Sequence, residues 1–179
     1  MLKRSVLGVL VLVAAGFAVP VSVIGRQASS PSLQAVGDML VGNWTGEGVF
    51  AADYPGVGKK GEKFTATQTC KWAAGKSALA CEGRANQSSW TGLTLWDPAA
   101  KQVRTMSVDS AGEFDQGIIS KQGDKLVWSS TGHFADGRLV EYKGETLFQD
   151  NGNTRIEAGA TVLAGVRSEF RDTYKKAAK

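Results

Sequence analysis

The sequence contains few of the residues from which catalytic and metal sites are usually built. Among 179 residues there is one histidine, His133, and there are two cysteines, Cys70 and Cys81. Nucleophilic catalysis needs a nucleophile, a base and a group that orients the base, and a zinc site needs several ligands. A lone imidazole next to a predicted turn provides neither. We therefore expect no catalytic residue, no metal site and no cofactor.

The charges also lack the clustering of a nucleic-acid-binding surface. The formal net charge is +4, from 21 basic and 17 acidic residues. Without Lys3 and Arg4 the count is 19 basic against 17 acidic residues, a net charge of +2. No segment carries the run of lysines and arginines that follows a phosphate backbone. We expect no nucleic-acid partner.

The N-terminal segment carries an export signal. Lys3 and Arg4 precede an apolar run from Val6 to Ile24, which is the order of a secretory signal. Cleavage after Ala18 fits the small residues there, but a run of roughly 19 residues is also near the length of a membrane-spanning helix. Residues 1–25 are therefore a signal peptide or a retained membrane anchor. Either places the remainder outside the cytoplasm, as a periplasmic or secreted protein or one anchored to the inner membrane.

A short helix is expected before the main domain. Residues 26–34 are rich in serine and glutamine and are interpreted as a linker. After Pro31, the apolar residues Leu33, Val36 and Met39 recur at helical spacing. The main domain is assigned to residues 35–179.

The remaining chain has the pattern of an all-β domain. Turn signals recur every 10 to 15 residues or so, which predicts about nine or ten antiparallel strands and leaves no room for crossover helices. From Lys63 to Trp72 apolar and polar residues alternate, with Gln68 as the exception, which indicates one buried face. Long strands must hide their edges, and closure into a barrel does so and can enclose a small ligand. A two-sheet sandwich is the alternative architecture.

The two cysteines predict a strand register. A two-residue type II′ turn at Gly75-Lys76 would place Cys70 opposite Cys81 on the buried face. Directly opposed residues lie near the separation that a disulfide requires, so we expect a structural disulfide. Two buried free thiols are the alternative.

Two groups of motifs resemble known families. Gly42-Asn43-Trp44 after a short helix resembles the Gly-x-Trp signature of lipocalins and their calycin relatives. The resemblance implies that Trp44 plugs the closed end of a barrel and that an arginine from the last strand packs over it. Arg167 or Arg171 would supply that arginine, and Arg167 is our candidate.

The second resemblance is more specific. The block Cys70-Lys71-Trp72, the turn Trp96-Asp97-Pro98 and the segment 109–114 resemble secreted bacterial lipocalin-like domains that have no assigned activity. This likeness covers roughly residues 40–142 and implies a small calycin-type barrel. The first strand also resembles that of the haem-binding nitrobindins, but their C-terminal histidine has no counterpart after His133.

The aromatic residues are the candidate ligand contacts. They are spread mostly one to a strand, as residues lining a barrel would be, although large rings also fill cores. Walls of this kind suit an apolar or amphipathic molecule. The candidate lining residues are Trp72, Trp90, Trp96, Phe114, Trp128 and Phe148.

Three functions fit these observations. The favoured one is an exported, non-enzymatic barrel that binds a small apolar or amphipathic molecule. The second is a structural extracytoplasmic subunit tethered to a larger membrane complex. The third is an enzyme that uses carboxylates meeting at the barrel mouth. The carboxylates considered are Glu47, Glu62, Glu82, Asp109, Glu113 and Asp115.

Overall fold

The computed structural model describes residues 31–177, which form one α-helix followed by ten strands, with short 3-10 helices at Ala74–Lys76 and Asp150–Gly152. The predicted signal peptide or anchor at residues 1–25 lies outside the described residues. The elements are α1 (Pro31–Leu40), β1 (Gly42–Val49), β2 (Lys63–Ala73), β3 (Ala78–Ala85), β4 (Ser88–Asp97), β5 (Gln102–Asp109), β6 (Phe114–Gln122), β7 (Lys125–His133), β8 (Leu139–Gln149), β9 (Thr154–Leu163) and β10 (Val166–Lys176).

The ten strands close into an antiparallel barrel. Each strand pairs with its neighbours in sequence, and β1 also pairs with β10, so that the barrel has no free edge. This confirms an all-β fold in which a short helix precedes a closed barrel, and it excludes the two-sheet sandwich. Closure pairs the backbone N–H and C=O groups that edge strands of 8 to 11 residues would otherwise leave exposed.

The β2–β3 hairpin has the predicted register and its disulfide. Cys70 lies opposite Cys81 and Trp72 opposite Leu79, and the cysteines are bonded. A disulfide is typical of proteins outside the reducing cytoplasm. The predicted two-residue type II′ turn is wrong, because the connection runs over four residues, from Ala74 to Ser77, and Ala74, Gly75 and Lys76 all have positive φ.

The helix closes one end of the barrel. Leu33 and Val36 are fully buried and pack against Val103, Ile119 and Leu126. Helix α1 begins at Pro31, so the residues from 31 to 34, assigned above to the linker, belong to the folded unit. Within residues 31–177, no helix is long and apolar enough to cross a membrane.

The connection between β1 and β2 covers the opposite end. Phe50, Ala51 and Ala52 are buried there, and the Tyr54 ring lies 6.3 Å from that of Phe134. Ala52 and Phe134 share an apolar cluster with residues from β8 and β9. The barrel interior thus lies between the helix at one end and this loop at the other.

Candidate functional site

The helix-closed end contains the predicted tryptophan plug. Trp44 is 1% exposed, and its Nε1 donates a hydrogen bond to the Leu40 carbonyl oxygen at 2.9 Å. Gly42 has a φ of 138°, a conformation that side chains rarely adopt, and it lies where the chain passes from α1 into β1. Within the Gly-x-Trp motif, Gly42 therefore allows the change of direction from α1 to β1, and Trp44 fills the closed end of the barrel.

The arginine over Trp44 is not the predicted one. The guanidinium carbon of Arg155, on β9, lies 4.8 Å from the Trp44 ring and 4.3 Å from the Tyr174 ring. Arg167 was the wrong choice: its side chain is 67% exposed and forms an ion pair with Glu169 at 3.5 Å. The strand register explains the difference. Tyr174 pairs with Arg155, and both side chains lie on the inner face. Arg167 is separated from Tyr174 by an odd number of positions on β10, so its side chain points outward.

Arg155 is held inside the barrel by polar partners. Its side chain is 2% exposed, and Nη2 donates a hydrogen bond to Oε1 of Gln68. Glu157 Oε1 lies 3.3 Å from Arg155 Nε, but Nε has no hydrogen-bond partner of acceptable geometry. Gln68, the exception in the alternation of β2, is therefore an inward residue that binds the buried cation.

A cavity of about 210 Å³ lies in the middle of the barrel beside Arg155. Trp90, Trp128 and Ile119 contribute apolar surface. The polar part of the wall contains one cation, two carboxyl groups, one amide and several hydroxyls. The polar lining residues are Gln68, Thr94, Thr105, Ser107, Asp115, Ser129, Ser130, Thr146, Arg155 and Glu157.

The predicted aromatic lining divides into three groups. Trp90 and Trp128 line the cavity. Trp72, Trp96 and Phe148 pack around the apolar cluster under α1, at the closed end. The prediction was wrong for Phe114, which is 51% exposed because β6 turns its odd-numbered positions, including buried Ile119, toward the interior.

Three of the candidate carboxylates meet near the loop-covered end. The pKa of Glu113 is raised to about 7, mainly by burial and in smaller part by the charges of Asp115 and Asp109, while the hydrogen bond from Tyr142 acts to lower it. The Tyr142 hydroxyl lies 3.0 Å from Glu113 Oε1. Asp109 Oδ1 accepts the backbone N–H groups of Ala111 and Glu113, both at 2.9 Å, and so organises the turn.

Asp115 is near enough to act on the pKa of Glu113, and it also borders the cavity. Burial raises its pKa, and hydrogen bonds from Ser107 and Ser130 act in the opposite direction. Asp115 lines the cavity, whereas the lining does not include Glu113. A carboxyl with a pKa of about 7 can exchange a proton at neutral pH, but Glu113 is not placed against the space that a substrate would occupy.

The other candidate acidic groups and the histidine are not brought together. Glu47, Glu62 and Glu82 are exposed, and so is His133 at the end of β7. No group of three or more histidine, cysteine or acidic residues suited to a metal ion occurs in the described part of the chain.

Asp172 is an interior carboxyl that the sequence reasoning missed. Burial raises its pKa to about 7, and the charge of Glu157 adds to the rise. One of its oxygens is buried without a hydrogen-bond partner. The period-two pattern of β10 could have revealed it, since Asp172 lies two residues from inward Tyr174.

Comparisons with known proteins bear on the fold. No protein-family model matches the chain, and no curated protein does. Among solved structures, the S-type phycobiliprotein lyase CPES from Guillardia theta is similar, with a TM-score of 0.50 and 12% identity over 83% of this chain and 94% of that one. The fold is lipocalin-like. At this identity the likeness extends to the lipocalin-like barrel and not to its activity.

Proposed function

We propose that this protein is an exported, non-enzymatic barrel that binds a small amphipathic molecule in its interior cavity. The observation that carries the proposal is the cavity of about 210 Å³, with tryptophan rings and buried polar groups in one wall. Ligand sites in proteins combine apolar walls with a few polar groups that orient the ligand. The polar groups favour an amphipathic ligand over the purely apolar one that the sequence also allowed.

The volume of the cavity limits the size of the ligand that it can hold. Drug-sized ligands occupy pockets of roughly 300–1,000 Å³, and an apolar cavity of about 150 Å³ holds benzene. A space of about 210 Å³ therefore fits a molecule somewhat larger than benzene.

A cavity-filling variant tests the proposal. Thr105 lines the cavity, so Thr105→Phe should occupy it and abolish binding of small aromatic probes, measured by calorimetry. Thr91→Phe places the same ring at an exposed position on β4 and should leave binding unchanged. Equal loss in both variants, or unchanged binding in Thr105→Phe, would contradict an interior site.

We also propose that the protein is exported, with residues 1–25 as the signal peptide or membrane anchor of a secreted bacterial-type domain. The Cys70–Cys81 disulfide supports it, because such bonds persist in oxidising compartments. Cell fractionation with mass measurement of the mature chain tests it. A mature N-terminus at Val19, or an intact chain in the inner membrane, is the expected result. Recovery from the cytoplasm with both thiols reduced would contradict it.

One observation favours the second candidate, a subunit of a larger membrane complex. The outer face of β4, β5 and β6 carries apolar side chains that are 37–52% exposed, namely Leu93, Met106, Val108, Phe114 and Ile118. Exposed apolar patches often mark protein contacts. This candidate predicts that the full chain migrates in a large complex on native gels and that Val108→Ser with Phe114→Ser releases it, whereas Thr105→Phe does not.

A further inference from the structure

Arg155 is the only cationic residue among those that line the cavity. We propose that the ligand is a small carboxylate, whose anionic group binds the Arg155 guanidinium and whose apolar body packs against Trp90 and Trp128. This inference rests on the proposed function and specifies the chemical class of the ligand.

The hydrogen bonds of Arg155 leave a place for an acceptor. Nη2 is satisfied by Gln68, but Nε is buried without a well-oriented partner. The Trp44 and Tyr174 rings attract the cation, and the Tyr174 side chain is also a hydrogen-bond partner of Arg155, but Nε itself has no acceptor. A buried donor without an acceptor is costly, and a guanidinium binds a carboxylate best when its N–H groups point along the oxygen lone pairs. A ligand carboxylate in the cavity would supply the geometry that Glu157 does not.

The two acidic residues of the wall do not favour a cationic ligand. Glu157 lies 3.3 Å from Arg155 Nε, so its charge faces the guanidinium and not the cavity, and it competes with a ligand carboxylate for that cation. Asp115 already accepts hydrogen bonds from Ser107 and Ser130, so its oxygens have donors without a cationic ligand. A cationic ligand would instead be placed beside a permanent like charge, and repulsion is strong where water is excluded.

Three probes of one shape distinguish the ligand classes. Benzoate, benzamide and benzylamine are anionic, neutral and cationic, and each is slightly larger than benzene, as the cavity requires. We expect calorimetry on the whole protein to show benzoate binding roughly tenfold or more tighter than benzamide, because hydrogen bonds to a charged group are the stronger kind. Benzylamine should bind more weakly than benzamide.

Two variants assign the effect to Arg155. Arg155→Met should reduce benzoate affinity to that of benzamide. If this variant fails to fold, Glu157→Gln decides, because it removes the acceptor that competes for the guanidinium. Glu157→Gln should raise the ratio of benzoate affinity to benzamide affinity several-fold, since only the charged probe uses the freed donors.

The failures of the two proposals can be told apart. Binding that does not depend on probe charge, or that is tightest for benzylamine, would overturn the carboxylate inference and leave the interior site intact. An unchanged ratio of benzoate affinity to benzamide affinity in Glu157→Gln would also overturn it. If none of the three probes binds, both the inference and the proposed interior site fail.

Discussion

We expect the free energy of unfolding to fall as the pH is raised from about 5 to about 8, and Glu113→Gln to remove part of that fall. Glu113 and Asp172 both lie in the interior, and burial raises the pKa of each to about 7. In the unfolded chain they ionise near their ordinary values of 4.5 and 3.8. The folded barrel therefore binds their protons more tightly than the unfolded chain does.

The sign and size follow from this difference. A raised carboxyl pKa contributes stability that is fully present below the unfolded value and is lost as the pH rises through about 7. At about 1.4 kcal/mol per pKa unit, the change at Glu113 alone corresponds to roughly 3 kcal/mol. Because its side chain is only partly buried, screening by solvent reduces this to on the order of 1–2 kcal/mol.

Urea denaturation followed by tryptophan fluorescence measures the effect. In Glu113→Gln the amide oxygen still accepts the hydrogen bond from Tyr142, but no proton is lost, so the variant should gain stability over the parent near pH 8 and little near pH 5. Glu47→Gln removes an exposed carboxylate and is the control. Parent stability that is flat or rising over this range, or a Glu113→Gln profile as steep as the parent's, would refute the reasoning.

Two further predictions concern the parts that hold the barrel together. Replacing Cys70 and Cys81 by alanine should lower the free energy of unfolding by about 3 kcal/mol, given loop closure over 11 residues; a loss below about 1 kcal/mol in denaturant titrations would contradict this. Leu33→Ala should lower the free energy of unfolding by about 2–4 kcal/mol, because the Leu33 side chain of α1 is completely buried against the barrel. Asp38→Ala, on the exposed side of α1, should cost well under 1 kcal/mol in the same titration, and equal losses would show that the helix is not packed on the barrel.

The parts of the fold that the sequence predicted are those governed by local rules. The predicted turn at Gly75-Lys76 and the observed connection, Ala74 to Ser77, have the same centre, so both place Cys70 opposite Cys81. The turn type was missed because Ala74 and Lys76 adopt positive φ angles that their residue types do not indicate. Closure was predicted from the need to hide strand edges, which is a property of the whole sheet.

The candidate site was harder to predict because polar residues in its wall occupy inward strand positions, where the alternation of apolar and polar residues predicts apolar ones. In β9 the neighbours Arg155 and Ile156 are both buried, so hydrophobicity does not show which of them faces the interior. Arg167 and Arg171 were preferred because the resemblance to lipocalins pointed to the last strand. Gln68 was the available signal: an amide at an inward position of an otherwise apolar face predicts a polar partner across the barrel.

The polar interior also separates the two leading functions. A barrel that serves only as a scaffold gains most stability from an apolar, fully packed interior, and burying a charged pair is often no better than burying hydrophobic groups of similar size. Here the middle of the barrel holds a buried guanidinium with an unsatisfied Nε, a carboxyl oxygen of Asp172 without a partner, and an unfilled space. Each lowers the stability of the empty barrel, and a bound ligand can offset the first and the last of these costs. That combination favours a binding protein over a scaffold, because a scaffold would carry these costs with no ligand to offset them.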